Sequence, residues 1–186
     1  MTNRGFTLIE MLVSVLLLTL AIGGPLTISG KGLLVALVAK DQTIAFYLAQ
    51  DAVEYVRYAR DTNSLGGGNW LSGVGATNGV NLTPCISSTG ATKCYLNTLG
   101  AGDVPTVPTA CPSNVCSKLY YNNTTKNYTY TTTGGNTPSI FTRSIAIQNP
   151  VGAAANEAIL SVTVSWSDIG NNIRSITVTE TLFDWQ

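Results

Sequence analysis

The chain contains no histidine, and this absence excludes several kinds of site. A Ser–His–Asp triad, a histidine general base and a histidine-ligated metal all require an imidazole. Charge is also scarce, because only 11% of the 186 residues are charged, with 10 basic and 10 acidic side chains. A net charge of zero without a basic run does not favour binding to nucleic acid or anionic lipid. Polarity comes instead from threonine, asparagine, serine and glycine, which suits an exported protein.

A long uncharged run lies close to the start of the chain. The twenty residues from Met11 to Gly30 carry no formal charge, and a helix of that length rises about 30 Å, enough to cross the hydrocarbon core of a bilayer. Glu10 lies directly before this run, where a carboxylate costs on the order of a few kcal/mol. An acid at this place is a candidate functional residue, and the alternative is that it simply lies at the headgroup level.

Two ordinary explanations of this segment leave part of it unexplained. A secretory signal has a shorter apolar stretch and a small-residue cleavage site, for which 21–25 is a poor match. A plain membrane anchor with Arg4 on the cytoplasmic side explains the length of the run but not Glu10. The residues before the run read Gly5-Phe6-Thr7-Leu8-Ile9-Glu10. This stretch resembles the prepilin processing and methylation motif of type IV pilins and type II secretion pseudopilins.

The resemblance implies a processing and assembly chemistry. In this family a membrane peptidase cuts after the glycine at the position of Gly5 and then N-methylates the new first residue, here Phe6. The resemblance also implies that Glu10 of one subunit pairs with the Phe6 ammonium of a neighbouring subunit. Both charges lie in or beside hydrocarbon, so pairing would relieve two desolvated charges and help to fix axial register.

The partners that the resemblance implies are all parts of a filament system. They are the prepilin peptidase and methylase, other pilin subunits through the N-terminal helices, the inner-membrane assembly platform, and membrane lipid before assembly. No cofactor, no metal and no nucleic acid are expected.

Four cysteines follow the apolar run, in the part that would be exported. An even number in an oxidising compartment favours disulfides, and four cysteines allow three connectivities. Proximity in the sequence favours Cys85–Cys94 and Cys111–Cys116. A four-cysteine zinc site is the alternative, although the C-x8-C and C-x4-C spacings fit a zinc ribbon poorly.

The periodicity of apolar residues predicts an α+β fold with a long N-terminal helix packed on a C-terminal antiparallel sheet. The helix should run from Phe6 to about Asp61, with a kink or a melted turn at 23–25. After Lys40 its apolar residues recur at three- and four-residue spacing. This stripe consists of Ile44, Leu48, Ala52, Tyr55, Val56 and Ala59.

Further along the chain the period becomes two, which indicates strands. We expect a hairpin that pairs 119–121 with 127–132, followed by strands at 141–148, 158–166 and 173–183. The expected organisation is a leader at 1–5, a transmembrane or filament-core helix at 6–30, an amphipathic helix half at 31–61, a variable cysteine-containing connecting region at 62–117, and an antiparallel sheet at 118–186.

These observations predict a structural subunit, most like a minor pilin, of a type IV pilus or related filament. The precursor would be a single-pass inner-membrane protein with its C-terminal domain exported, and would later form part of an extracellular or periplasmic filament. The strand 162–166 and the ending 182–185 resemble minor pilins, while a type II secretion pseudopilin or a major pilin remains an alternative.

Two other functional classes are weaker. A surface adhesin or DNA-uptake module would use stacking tyrosines, namely Tyr120, Tyr121, Tyr128 and Tyr130. A membrane-anchored enzyme would need paired carboxylates, but the acids of the exported part form no recognisable motif, so the chain is not predicted to be an enzyme. These acids are Asp103, Glu157, Asp168, Glu180 and Asp184.

Overall fold

The computed structural model describes Gly5 and residues 7–97, 107–149 and 156–185. The described backbone is one long helix followed by loops and a mainly antiparallel sheet, which confirms the predicted α+β class. Two compact units, Met1–Asp41 and Gln42–Gln186, divide the chain. The elements are α1 (Leu8–Leu65), β1 (Ile86–Ser87), β2 (Cys94–Tyr95), β3 (Thr109–Ala110), β4 (Lys118–Asn122), β5 (Tyr128–Thr129), β6 (Asn136–Gln148), β7 (Glu157–Ser167) and β8 (Ile173–Phe183), with short 3-10 helices at Thr83–Cys85 and Pro112–Asn114.

In the first unit, α1 passes through the predicted breaker without interruption. Gly23, Gly24 and Pro25 are all helical, so the melted turn predicted from them is not present in this helix. Proline removes a single backbone hydrogen bond, the one that its nitrogen would donate four residues back. The bonds of the surrounding turns are enough to keep the helix continuous.

In the second unit, α1 is amphipathic and contributes one face to the core. Of the predicted stripe, Ile44 is partly buried and the other five residues are buried, which confirms the helical spacing. Tyr55 is buried as a packing residue, whereas Tyr47 and Tyr58 are 65% and 56% exposed. These two tyrosines lie on the solvent side of the helix, and so only one of the three helix tyrosines fills the core.

A glycine cap ends α1 at Leu65, beyond the predicted end near Asp61. The N–H of Gly67 donates to the Ser64 carbonyl at 3.0 Å, and the N–H of Gly68 donates to the Asn63 carbonyl at 3.1 Å. Gly67 has φ +74°, the left-handed conformation that glycine adopts without penalty. This pair of bonds is the Schellman arrangement, and it satisfies carbonyls that a helix end otherwise leaves without a donor.

The sheet is built around β6, which pairs along most of its length with β7, and β7 pairs with β8. On its other side, β6 pairs with β4 near its start and with β1 and β2 near its end. The β4–β5 pairing matches Tyr121 with Tyr128 and confirms the predicted hairpin. Among the described strands, the β1–β6 contact is the one parallel pair.

Alternation along β6 and β7 places one face of the sheet in the core. The buried β7 residues are Ala158 and the four predicted residues Leu160, Val162, Val164 and Trp166, and the opposite face carries mainly serine and threonine. One hydrophobic cluster joins these side chains to the buried face of α1. Every member of this cluster lies between Ala45 and Leu182, within the second unit.

Candidate functional site

The start of α1 is set by Thr7, which is the helix N-cap. Its carbonyl accepts the N–H groups of Glu10 and Met11 at 3.1 and 3.2 Å, and its hydroxyl oxygen accepts the N–H of Glu10 at 3.4 Å. A threonine followed three residues later by glutamate is the sequence pattern of a capping box. The residues that carry the motif therefore also define where the helix begins.

Glu10 lies in the first turn of α1 and is exposed. A negative charge is favourable there because the helix N-terminus carries a partial positive charge. Its backbone carbonyl accepts the hydroxyl of Ser14 at 2.7 Å. Gly5 is exposed, with no atom within 4 Å of the position that a Cβ would take, while Phe6 lies outside the described residues.

The residues after Glu10 form an exposed apolar surface around α1. Leu16, Leu17 and Leu18 are each about 60% exposed, and none of the helix's most apolar stretch is buried. Of the described helices, α1 is the one long and apolar enough to cross a membrane. A surface this apolar is rare on a soluble monomer and marks a membrane or protein contact.

The four cysteines form two disulfides in the second unit. Cys85 is bonded to Cys94 and Cys111 to Cys116, the pairing that sequence proximity favours. The first bond joins the 3-10 helix before β1 to β2, and the second closes the turn around the other 3-10 helix. Both fix irregular backbone in the segment between the helix and the long strands.

Comparison with known families finds a prokaryotic N-terminal methylation motif at residues 1–24. This is the prepilin-type motif of type IV pilins and pseudopilins, so the resemblance drawn from the first ten residues is confirmed. The match covers 24 of the 186 residues and therefore concerns the N-terminal segment alone. No curated protein and no solved structure matches the chain.

Most of the candidate acids of the enzyme alternative are placed by the structure, with Asp103 outside the described residues. The Glu180 carboxylate accepts a hydrogen bond from Arg57 Nε at 2.8 Å, and the Asp168 carboxylate accepts one from Arg174 Nε at 2.9 Å. Glu157 begins β7 and Asp184 follows β8. A hollow of about 210 Å³ beside the outer face of the sheet is lined by Lys118 and apolar and hydroxyl side chains rather than by these acids.

The tyrosines of the binding-module alternative pack mainly against one another and the core. Tyr121 and Tyr128 are cross-strand neighbours with ring centroids 5.2 Å apart, and Tyr128 also contacts Phe141 edge-on at 5.8 Å. The Tyr130 ring lies 4.8 Å from that of Tyr95. Burial raises the pKa of Tyr130, whose hydroxyl donates to the Arg143 carbonyl at 3.0 Å.

Two buried polar residues were not identified from the sequence as important. Arg143 is 1% exposed, and its guanidinium donates to the carbonyls of Leu48 and Leu96 and to a carboxylate oxygen of Asp51. Asn63 is fully buried, and its side-chain nitrogen donates hydrogen bonds to the carbonyls of Trp70 and Val80. Its side-chain oxygen accepts the N–H of Val80. The available signal for Arg143 was an arginine in the apolar register of a strand, between Phe141 and Ile145.

Proposed function

We propose that this chain is a structural subunit of a type IV pilus or related filament, most like a minor pilin. The observation that carries the proposal is the methylation motif at residues 1–24 directly followed by an exposed apolar helix. The motif supplies a processing site and the helix supplies a surface that must be covered by lipid or by other helices. A type II secretion pseudopilin would share both features.

Before assembly the precursor is held in the inner membrane by the helix at 6–30, with the rest of the chain exported. Two disulfides in the second unit support this orientation, because such bonds persist outside the reducing cytosol. The prepilin peptidase removes the leader 1–5 and methylates Phe6. The exposure of Gly5 supports access of a protease to this bond.

During assembly, Glu10 of one subunit pairs with the new Phe6 ammonium of a neighbour. Phe6 precedes Glu10 by four residues in the sequence, and Glu10 is exposed in the first turn of α1. A carboxylate and an ammonium brought together in an apolar environment each remove the desolvation penalty of the other. The helices then form the filament core, the amphipathic half 31–61 carries the sheet 118–186 outside it, and the connecting region 62–117 contributes subunit-specific surface.

The experiment that tests this function is expression of the full chain with and without a prepilin peptidase in an inner membrane. We expect intact mass and N-terminal sequencing to give a chain that begins at a methylated Phe6 when the peptidase is present. The matched control is Gly5→Leu, at a position where an added Cβ has no atom within 4 Å beyond its chain neighbours, and it should leave the chain uncut. A product that begins elsewhere, or cleavage of the control at the same bond, would contradict the proposal.

The copy number in filaments separates the minor from the major subunit. Quantitative mass spectrometry of sheared filaments should find this chain as a small fraction of the subunits. An equimolar or dominant share would identify a major pilin, and recovery only with a secretion apparatus would identify a pseudopilin.

A further inference from the structure

Lys31 is a charge that neither the methylation motif nor the membrane span explains. It is the one charged residue between Glu10 and Lys40, and eight uncharged residues, 32–39, follow it. The structure places it on the exposed surface of α1 in the first unit. An ammonium surrounded by apolar side chains is costly once these side chains pack against other helices, unless an anion faces it.

We propose that Lys31 forms an ion pair with Glu10 of a second copy of this chain in the assembled filament; this inference rests on the proposed function. Between Thr7 and Ala39 the helix carries one anion, Glu10, and one cation, Lys31. The two lie 21 residues apart, which is about 31 Å along a helix. They cannot meet within one copy, whereas two parallel copies offset by that distance bring them together.

The backbone around Lys31 is open to close approach by another helix. Gly30 and Gly32 flank the lysine, and apart from the chain neighbours and the adjoining helix backbone no atom lies within 4 Å of the position that a Cβ would take at either glycine. Small residues allow helices in apolar surroundings to approach closely. Ile28, Leu33 and Leu34 are each more than half exposed and provide the apolar contact around the pair.

We take the partner of Lys31 to be a second copy of this chain, because the charges of two parallel copies of the helix complement each other at two different axial offsets. Phe6, which would carry the other ammonium, precedes Glu10 by only four residues in the sequence, so its pairing with Glu10 of a neighbour needs a small offset. A helix in a staggered bundle has different neighbours at a small and at a large offset. One carboxylate has two oxygens and can accept from the Phe6 ammonium of one neighbour and from Lys31 of another.

The competing role for Lys31 is a membrane anchor at the outer headgroup level, with its side chain reaching toward water. That role would act on the precursor, before any filament exists. The ion pair acts only after assembly. Inserted precursor and assembled subunit must therefore be measured separately.

The first test compares the unaltered chain with Lys31→Met, Lys31→Arg and the control Lys40→Met in cells that assemble the filament. We expect all four precursors to insert and lose the leader equally. The copies of Lys31→Met per sheared filament should fall about tenfold, because Glu10 keeps the Phe6 ammonium of one neighbour but loses its second cationic partner in a desolvated environment. Lys31→Arg, which keeps the charge, and Lys40→Met should stay within about twofold of the unaltered chain.

The second test is zero-length cross-linking of sheared filaments with a membrane-permeant carbodiimide. This reagent joins a carboxylate to an amine as an amide, with water removed and taken up by the carbodiimide. Mass spectrometry should find Glu10 joined to Lys31 in filaments and not in membranes that hold only unassembled precursor. Mixed isotopically heavy and light copies should give mixed-label products, which shows that the link joins two copies.

Two outcomes would overturn the pairing while leaving the proposed function intact. The first is normal incorporation of Lys31→Met together with filaments that lack the Glu10–Lys31 link. The second is that the amount of Lys31→Met precursor in the membrane falls by as much as its amount in filaments, which would show that Lys31 acts as a membrane anchor. An unaltered chain that stays uncut or never enters filaments would overturn both proposals.

Discussion

Arg143 is a buried charged residue whose hydrogen bonds join three parts of the second unit. A guanidinium at the centre of β6 would be destabilising without acceptors, because a buried charge must be paired and hydrogen-bonded. It reaches the Leu48 carbonyl on α1 at 2.9 Å and the Leu96 carbonyl after β2 at 3.0 Å. Asp51 supplies the counter-charge at 2.9 Å and is half exposed. One side chain thus ties the helix, the connecting region and the sheet together.

Replacing Arg143 with methionine should lower the free energy of unfolding by about 3 kcal/mol, since the carbonyls of Leu48 and Leu96 each lose a buried hydrogen bond from a charged donor, at roughly 1.5–3 kcal/mol each. The control Asp51→Asn removes the counter-charge at a half-exposed position but keeps an oxygen that can accept from Arg143, so it should lose less than Arg143→Met. Denaturant unfolding of the two variants measures the difference. Equal losses would show that the exposed ion pair, rather than the carbonyl contacts, gives Arg143 its importance.

At the scale of elements, the helix and the long strands were predictable because the sequence patterns that indicate them involve residues close together in the chain. The alternation in β7 and β8 and the helical spacing after Lys40 depend on side chains a few residues apart. The end of α1 was placed too early because Asn63 and Ser64 favour helix termini, yet the helix continues to Leu65 and Gly67 provides the left-handed turn. The contacts of Asn63 with Trp70 and Val80 join distant residues, so no local pattern reveals them.

The turn between β7 and β8 is ordered by one carboxylate. Asp168 accepts the N–H groups of Gly170 and Asn172, both at 2.9 Å, and Arg174 Nε at 2.9 Å. The backbone hydrogen bond from Asn172, followed by the bond from Arg174, lowers the pKa of Asp168 below its ordinary value. The ionised form therefore favours the folded hairpin.

This turn should weaken in acid. Because the folded pKa is lower than the unfolded value near about 4, the contribution is complete above that value and is lost as pH falls through the folded pKa. The free energy of unfolding, measured from neutral pH to strong acid, should fall less steeply for Asp168→Asn than for the unaltered chain. Arg174→Gln should lie between them because it removes one of the causes. If the free energy of unfolding fell equally steeply in acid for all three proteins, Asp168 would not be the source of the pH dependence.

At the scale of the whole molecule, the two units differ in what determines them. The second unit has its own core, between Ala45 and Leu182, and its overall class followed from periodicity. The most apolar stretch of the first unit has no buried residue, and its methylation motif could be recognised in the sequence because the matching residues are contiguous. The long-range partners of Arg143 required the fold itself, since they lie 47 to 95 positions away in the chain.

The last prediction uses this division between the units. Glu10→Ala should reduce incorporation into filaments about tenfold or more, because the Phe6 ammonium of a neighbour loses its desolvated partner. Unfolding of the second unit should be unchanged, since every residue of its core lies beyond Gln42. Quantitative mass spectrometry of sheared filaments measures the first effect, and denaturant unfolding of the detergent-solubilised chain measures the second. Thr7→Ala is the matched control, because it removes the helix cap but keeps the carboxylate. If this control reduced incorporation as much as Glu10→Ala, the helix start, and not the charge, would be the requirement for assembly.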